Sequence, residues 1–220
     1  KNKIDESNIV AELVKALTIH TNNAIAIEYL DRYYRGDQPI LYRQKVNRPE
    51  VNNKVLVNLA YELVERKVAG ICAEPIQYVL RGTDDKKSEE ISQLNAIVDS
   101  EDKQDCDIDI CRWRSICGTA YRFIGNDNKN GMLLDESNFS LSAENPINTF
   151  VVYHTNKKPA FSCQIREDED GNEFYHCFTD SKWFVIRDGK IVDIGINGNG
   201  AIPVIEYPNN SRRISDIEIG

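Results

Sequence analysis

Apolar positions in the first 36 residues recur at helical spacing. Ile9, Leu13, Ala16 and Leu17 fall at i, i+4, i+7 and i+8, one face of a helix, with Ser7 or Asn8 placed to cap it. A second short helical segment spans Ala24 to Tyr34 and meets Gly36, a suitable residue just past a helix end. Gln38-Pro39 and Arg48-Pro49 then mark a loop-like stretch from 37 to 52. A third helix is expected from Asn53 to Cys72. Its wide apolar stripe (Leu56, Leu59, Ala60, Leu63, Val64, Val68 and Ile71) reads as a core face, with Asn52 as N-cap and Pro75 limiting its continuation. Residues 76–80 read as a short strand closed by Arg81-Gly82. Two further helices follow. One has Ile91, Leu94, Ile97 and Val98 on its apolar face, and the next has Cys106, Ile110, Trp113 and Cys117.

Beyond Gly118 the period changes from helix to strand. Residues 119–124, 150–153, 161–165, 173–178, 182–186, 190–194 and 201–207 read as strands. Asp170-Gly171-Asn172 and Asp188-Gly189 lie between neighbouring runs and signal two hairpins. Pro203 suits an edge strand or a bulge. Helices followed by an antiparallel meander predict an α+β fold, with a mainly helical portion at 1–118 carrying one short strand and a β-rich portion at 119–220.

The 220 residues are 41% hydrophobic and 28% charged, enough apolar content to build a core. Lys and Arg number 27 against 35 Asp and Glu, a formal net charge of −8, which disfavours a generally phosphate-gripping surface. Much of the imbalance is local: residues 84–109 hold ten acids against three lysines, the pattern of a solvated helix face. No apolar run approaches the roughly 18–20 residues of a membrane-spanning helix, and residues 1–8 lack a secretory apolar stretch, so a soluble, non-secreted chain is expected. The six cysteines form no Cys-x-x-Cys pair and read as reduced, partly buried thiols. Zinc held by Cys163, His176 and Cys177 is the alternative, though it lacks a fourth ligand.

Candidate chemistry is sparse. Gly195, Gly198 and Gly200 precede a strand where a phosphate-binding loop needs a helix, and no Gly-Lys-Ser or Gly-Lys-Thr occurs. Asp105, Asp107 and Asp109 imitate the opening of a calcium loop, but Ile110 and Ile116 stand where Gly and Glu are required. The Asp168–Gly171 run is explained by a turn. Of His20, His154 and His176, the last two lie on strands and none is placed as a catalytic base. Arg32-Tyr33-Tyr34-Arg35 and Arg112-Trp113-Arg114 could touch phosphates; the simpler reading has Tyr33 and Trp113 in the core and the arginines paired with nearby acids. The chain therefore reads as non-enzymatic, with no catalytic, metal or cofactor residue assigned and no DNA-binding residue named.

The order of local patterns carries more. Tyr33-Tyr34-Arg35-Gly36, Asn52 to Asn58, Leu63 to Gly70, Glu74-Pro75-Ile76-Gln77-Tyr78, Cys117 to Tyr121 with Asn145-Pro146, and Ile202 to Arg213 follow one another as in the portal proteins of tailed bacteriophages. The chain resembles the siphophage-type head-to-tail connectors over residues 25–220. The resemblance implies a subunit of a ring, typically dodecameric, at one capsid vertex. Double-stranded DNA would enter and leave through it, and it would dock the terminase large subunit and a head–tail adaptor beside the major capsid and scaffolding proteins. It places the chain in the virion, and in the host cytoplasm during assembly, with no membrane or cofactor. A non-enzymatic interaction module with a β-meander binding face is the alternative. Two departures stand out: Ala73 occupies a position that is usually glycine, and the match stops after Asp216. The chain thus reads as the peripheral wing-type region of a longer protein, without its stem and channel elements.

Overall fold

The structure, a computed structural model, describes residues 3–43, 47, 54–72, 74–82, 85–100, 103–126, 139–209 and 217–219. The expected N-cap Asn52 and the departure at Ala73 lie outside these residues, as do the side chains of Ile97 and Val98. The two expected N-terminal segments are one helix, α1 (Ile9–Tyr34). Thr18, Thr21 and Asn22 stand between the two expected segments. Thr18 Oγ1 and Thr21 Oγ1 donate to the carbonyls of Val14 and Leu17, and Asn22 Nδ2 donates to that of Thr18. The helix ends as expected at Gly36. Its N–H donates to the Tyr33 carbonyl while Asp37 N–H donates to that of Arg32, a Schellman closure with Gly36 at φ +91°.

Helix α2 (Leu59–Cys72) begins later than the sequence suggests. Asn58 caps it, its side-chain oxygen accepting the Tyr61 N–H at 3.2 Å. Only Val68 of the expected stripe is fully buried, and Leu63 is 67% exposed, so the stripe is not a core face of this chain. The expected strand at 76–80 does not form: among the described residues it pairs with no strand. The Asn95 carboxamide instead accepts the Tyr78 N–H and donates to its carbonyl, both at 3.0 Å. Asn95 lies on α3 (Asp85–Ser100), which packs on α4 (Lys103–Cys117). On α4, Cys106, Ile110 and Cys117 are buried and Trp113 packs beside them, as the spacing predicts.

Strands β1 (Tyr121–Asn126), β2 (Phe139–Glu144), β3 (Thr149–His154), β4 (Pro159–Glu167), β5 (Glu173–Phe178), β6 (Lys182–Arg187), β7 (Lys190–Ile196), β8 (Val204–Glu206) and β9 (Ile217–Ile219) form two sheets. Their orders are β2-β1-β8 and β7-β6-β5-β4-β3-β9. Pairing is antiparallel except for β3 with β9. The fold is α+β, helices first and then a meander. Both expected hairpins form. Asp188 and Gly189 turn at φ +50° and +70°, and the Asp168 side chain accepts the N–H groups of Asp170 and Asn172. β8 is an edge strand immediately after Pro203, as expected. β2 is legible in hindsight, because Phe139, Leu141 and Ala143 alternate with Ser140, Ser142 and Glu144.

Strand β3 is buried on both faces. Phe150 and Val152 join Ile9, Leu13, Ala16, Phe161, Cys163, Cys177 and Phe184 in the largest core, which seats the first half of α1 on the long sheet. Val151 and Tyr153 point the other way, into a second core with Tyr121 and Val204.

Candidate functional site

Residues far apart in sequence converge where α1, α2, α4 and β8 meet. Asn58 Nδ2 donates to the Tyr34 carbonyl at 2.7 Å, so the residue that starts α2 also satisfies the end of α1. Leu56 and Asn58 close over Gly36. Tyr34 Oη donates to Glu65 Oε1 at 2.5 Å, and Arg112 Nε donates to the same oxygen at 2.9 Å. Burial and the Glu65 carboxylate push the Tyr34 phenol up to about 12, while Arg112 and Tyr34 hold Glu65 below the usual carboxylate range. Farther along, Ala120 and Tyr207 exchange backbone hydrogen bonds, Asn209 N–H donates to the Gly118 carbonyl, and Arg114 Nε donates to that of Pro208. Glu206 accepts Tyr153 Oη at 2.6 Å and Thr119 Oγ1 at 3.1 Å. Described residues of five of the ordered patterns, those at 33–36, 52–58, 63–70, 117–121 and 202–213, are therefore neighbours at this junction. Asn58 and Glu206 lie inside those patterns, but the bonds that tie them to Tyr34 and Thr119 span 24 and 87 positions and leave no local signal.

The basic-aromatic runs are occupied internally. Arg32 pairs with Asp37 at 2.6 Å, Arg35 with Asp31 at 2.9 Å, and Arg112 with Asp109 as well as Glu65. Trp113 packs against its core as expected, whereas Tyr33 is exposed and lies against Tyr29. The calcium-like acids sit on α4, where Asp107 bridges Lys103 and Arg122. The Arg122 guanidinium also lies over the Tyr207 ring, 5.3 Å from its centroid. The acids of α3 with described side chains, Glu89, Glu90 and Asp99, are exposed.

The histidines occupy three different settings. His20 is buried against Phe150, its Nε2–H donating to the Ile147 carbonyl at 2.7 Å, and burial lowers its pKa. His154 ends β3, its backbone closing the turn to Lys158. His176 lies between Phe178 and Trp183 in a cleft of about 410 Å³ shared with Phe123 and Asp193. Burial, with Arg166 second, pushes it down to about 4. Cys163 and Cys177 are cross-strand partners facing the main core, and strand alternation turns His176 to the other face. The zinc grouping therefore does not assemble.

Cys106, Cys117, Cys163 and Cys177 are free and buried, in keeping with the thiol reading. Burial raises Cys117 to about 12. Cys72 and Cys111 depart from it, being joined as a disulfide between α2 and α4 with Cα atoms 7.2 Å apart. Their separation of 39 residues in sequence hid the pairing.

No curated protein matches the chain. Residues 14–219, from the second turn of α1 to β9, match the family described as phage portal protein, SPP1 Gp6-like, and with the whole junction inside that span the chain belongs to this family of phage portal proteins.

Proposed function

We propose that the chain is part of a subunit of the ring at a tailed-phage capsid vertex, the conduit through which double-stranded DNA is packaged and ejected. It is also the platform that docks the terminase large subunit and head–tail adaptors. Residues 1–118 and 119–220 form one wing-type region of that subunit, which acts structurally and without catalysis. The family match over residues 14–219 carries this reading. The exposed acids of α3 support it physically, because carboxylates repel phosphates and let DNA pass without sticking.

Negative-stain electron microscopy of the full-length protein, with native mass on the same sample, tests the proposal. Closed rings with a central hole are the expected result. A monodisperse monomer or dimer at every concentration would instead favour a partner-binding module. That second reading has one observation behind it: β7 is an edge strand with Val192, Ile194 and Ile196 exposed at alternate positions.

A further inference from the structure

We propose that the outer edge of β7 accepts an extended segment of another protein by strand addition, with an arginine or lysine of that segment seated between the Trp183 indole and the Asp193 carboxylate. This names the partner chemistry for the β7 edge noted above and holds whether or not the chain forms rings.

Strand β7 ends the long sheet, and among the described residues no strand pairs with its outer side. Just past it, Asn197 N–H donates to the Ser181 carbonyl, toward β6. Backbone groups alternate in direction along a strand, so those of Ile194 and Ile196 point off the sheet. The Ile194 N–H is met by the side chain of its own neighbour, Asp193 Oδ1, at 2.8 Å. An incoming carbonyl can take over that N–H and release the oxygen. Ile194 and Ile196 are 39% and 83% exposed, which leaves apolar surface along the edge for the apolar side chains of the segment.

The alternate positions of β7 select the charge. Trp183 and Gly195 are cross-strand partners, and a Cβ on Gly195 would lie 2.3 Å from the indole. The indole therefore lies across bare backbone and reaches the last strand of the sheet. Asp193 shares that face with Gly195, and with Trp183 it lines the cleft of about 410 Å³ that holds His176 and Phe178. Among the described residues lining this cleft Asp193 is the only charged one, and His176, pushed down to about 4, is neutral at physiological pH. A strand added along β7 brings side chains within about 5 Å of Asp193 and Gly195 on this face, in reach of carboxylate and ring together. Aromatic rings beside a carboxylate attract a cation and turn away an anion. A chain of net charge −8 also draws basic partners at longer range, and the same charge disfavours a second copy of itself.

The test follows the anisotropy of a dye-labelled peptide, Thr-Val-Arg-Val-Thr, titrated with the full-length protein. A second peptide carries citrulline in place of arginine, which keeps the shape and loses the charge. The arginine peptide should bind about tenfold more tightly than its citrulline counterpart. Asp193→Asn should abolish that difference while leaving the citrulline peptide and the far-UV circular dichroism unchanged, because Asn keeps an oxygen for the Ile194 N–H. Acetylarginine amide should compete only at concentrations about tenfold above the unlabelled arginine peptide, since it lacks the backbone that extends the sheet. Equal binding of the two peptides, or binding of neither, would overturn the proposal, and this comparison needs no variant. A difference that persists in Asp193→Asn would overturn the assigned contact. An arginine amide that competes as well as the peptide would mean a small-cation site without strand addition, and would overturn the proposal too.

Discussion

Gly36 and His176 are single residues whose surroundings fix an outcome. At φ +91° Gly36 occupies backbone space that side chains disfavour, and a Cβ there would lie 3.3 Å from Leu56 Cδ2. Gly36→Ala therefore strains the Schellman closure and presses on the segment leading into α2. The expected cost is about 1–2 kcal/mol, read as a lower midpoint in urea denaturation with an unchanged slope. A variant as stable as wild type would mean that the α1–α2 joint is slack. For His176 the effect runs through pH. Its ordinary value near 6.5 falls to about 4 in the folded chain, so between those values the unfolded state binds more protons. The corresponding stability is complete above pH 6.5 and is lost as pH falls through 4. His176→Phe keeps an aromatic ring against Phe178 and Trp183 but removes the titration. The stability difference between wild type and variant should then change by up to about 3 kcal/mol across the window, wild type losing more toward acid. Parallel profiles in urea at pH 6.5, 5.5 and 4.5 would show that His176 does not carry that dependence.

Among the elements, those set by local chemistry were readable and those set by distant partners were not. Asp188-Gly189 makes its hairpin turn with two adjacent positive φ values, and Gly36 stops α1, because the needed conformation belongs to the residue itself. The unbroken α1 was hidden because Thr18, Thr21 and Asn22 satisfy the preceding turn instead of interrupting it. The stripe on α2 was visible, but periodicity tells which residues seek cover and not what covers them: Val68 finds it within the chain and Leu63 does not. Residues 76–80 have strand character, yet their hydrogen-bonding partner is the side chain of Asn95. Of the candidate chemistry, the failure of a calcium loop was plain from Ile110 and Ile116, whereas the contact between Cys72 and Cys111 needed the packing of α2 on α4. That contact yields a prediction for the elements it ties. The bond closes a loop containing α3, which otherwise rests on α4 and on the Asn95–Tyr78 bridge. Once the chain has been reduced, oxidised glutathione should re-form the Cys72–Cys111 bond by thiol–disulfide exchange, releasing two equivalents of reduced glutathione, while the four buried thiols stay free. Non-reducing peptide mapping reads the linkage. Limited proteolysis should then cut within residues 74–100 more slowly in the oxidised chain than in the reduced one. Equal cleavage rates would mean that the loop is held by its packing alone.

For the molecule as a whole, charge decides how it meets DNA. Binding to duplex at physiological salt requires several cations free to replace condensed counterions, since each phosphate neutralised adds roughly one unit to the salt slope. Here Arg32, Arg35, Arg66, Arg112, Arg122, Arg166 and Arg187 are each engaged with a carboxylate of the same chain. Freeing one to meet a phosphate exchanges one ion pair for another and leaves a carboxylate beside the DNA. The exposed acids of α3 add repulsion that acts over about 8 Å at 0.15 M salt. The expected outcome is no measurable change in the anisotropy of a labelled duplex with micromolar chain at 0.15 M salt, and at most weak binding at about 0.02 M. A complex tighter than the roughly 10⁻⁴–10⁻⁶ M of ordinary nonspecific binding, weakening steeply with salt, would contradict this account. It would mean that the internal ion pairs open toward DNA. Under the proposed conduit role, arginines paired inside the chain would keep it from holding DNA as directly as the exposed acids would.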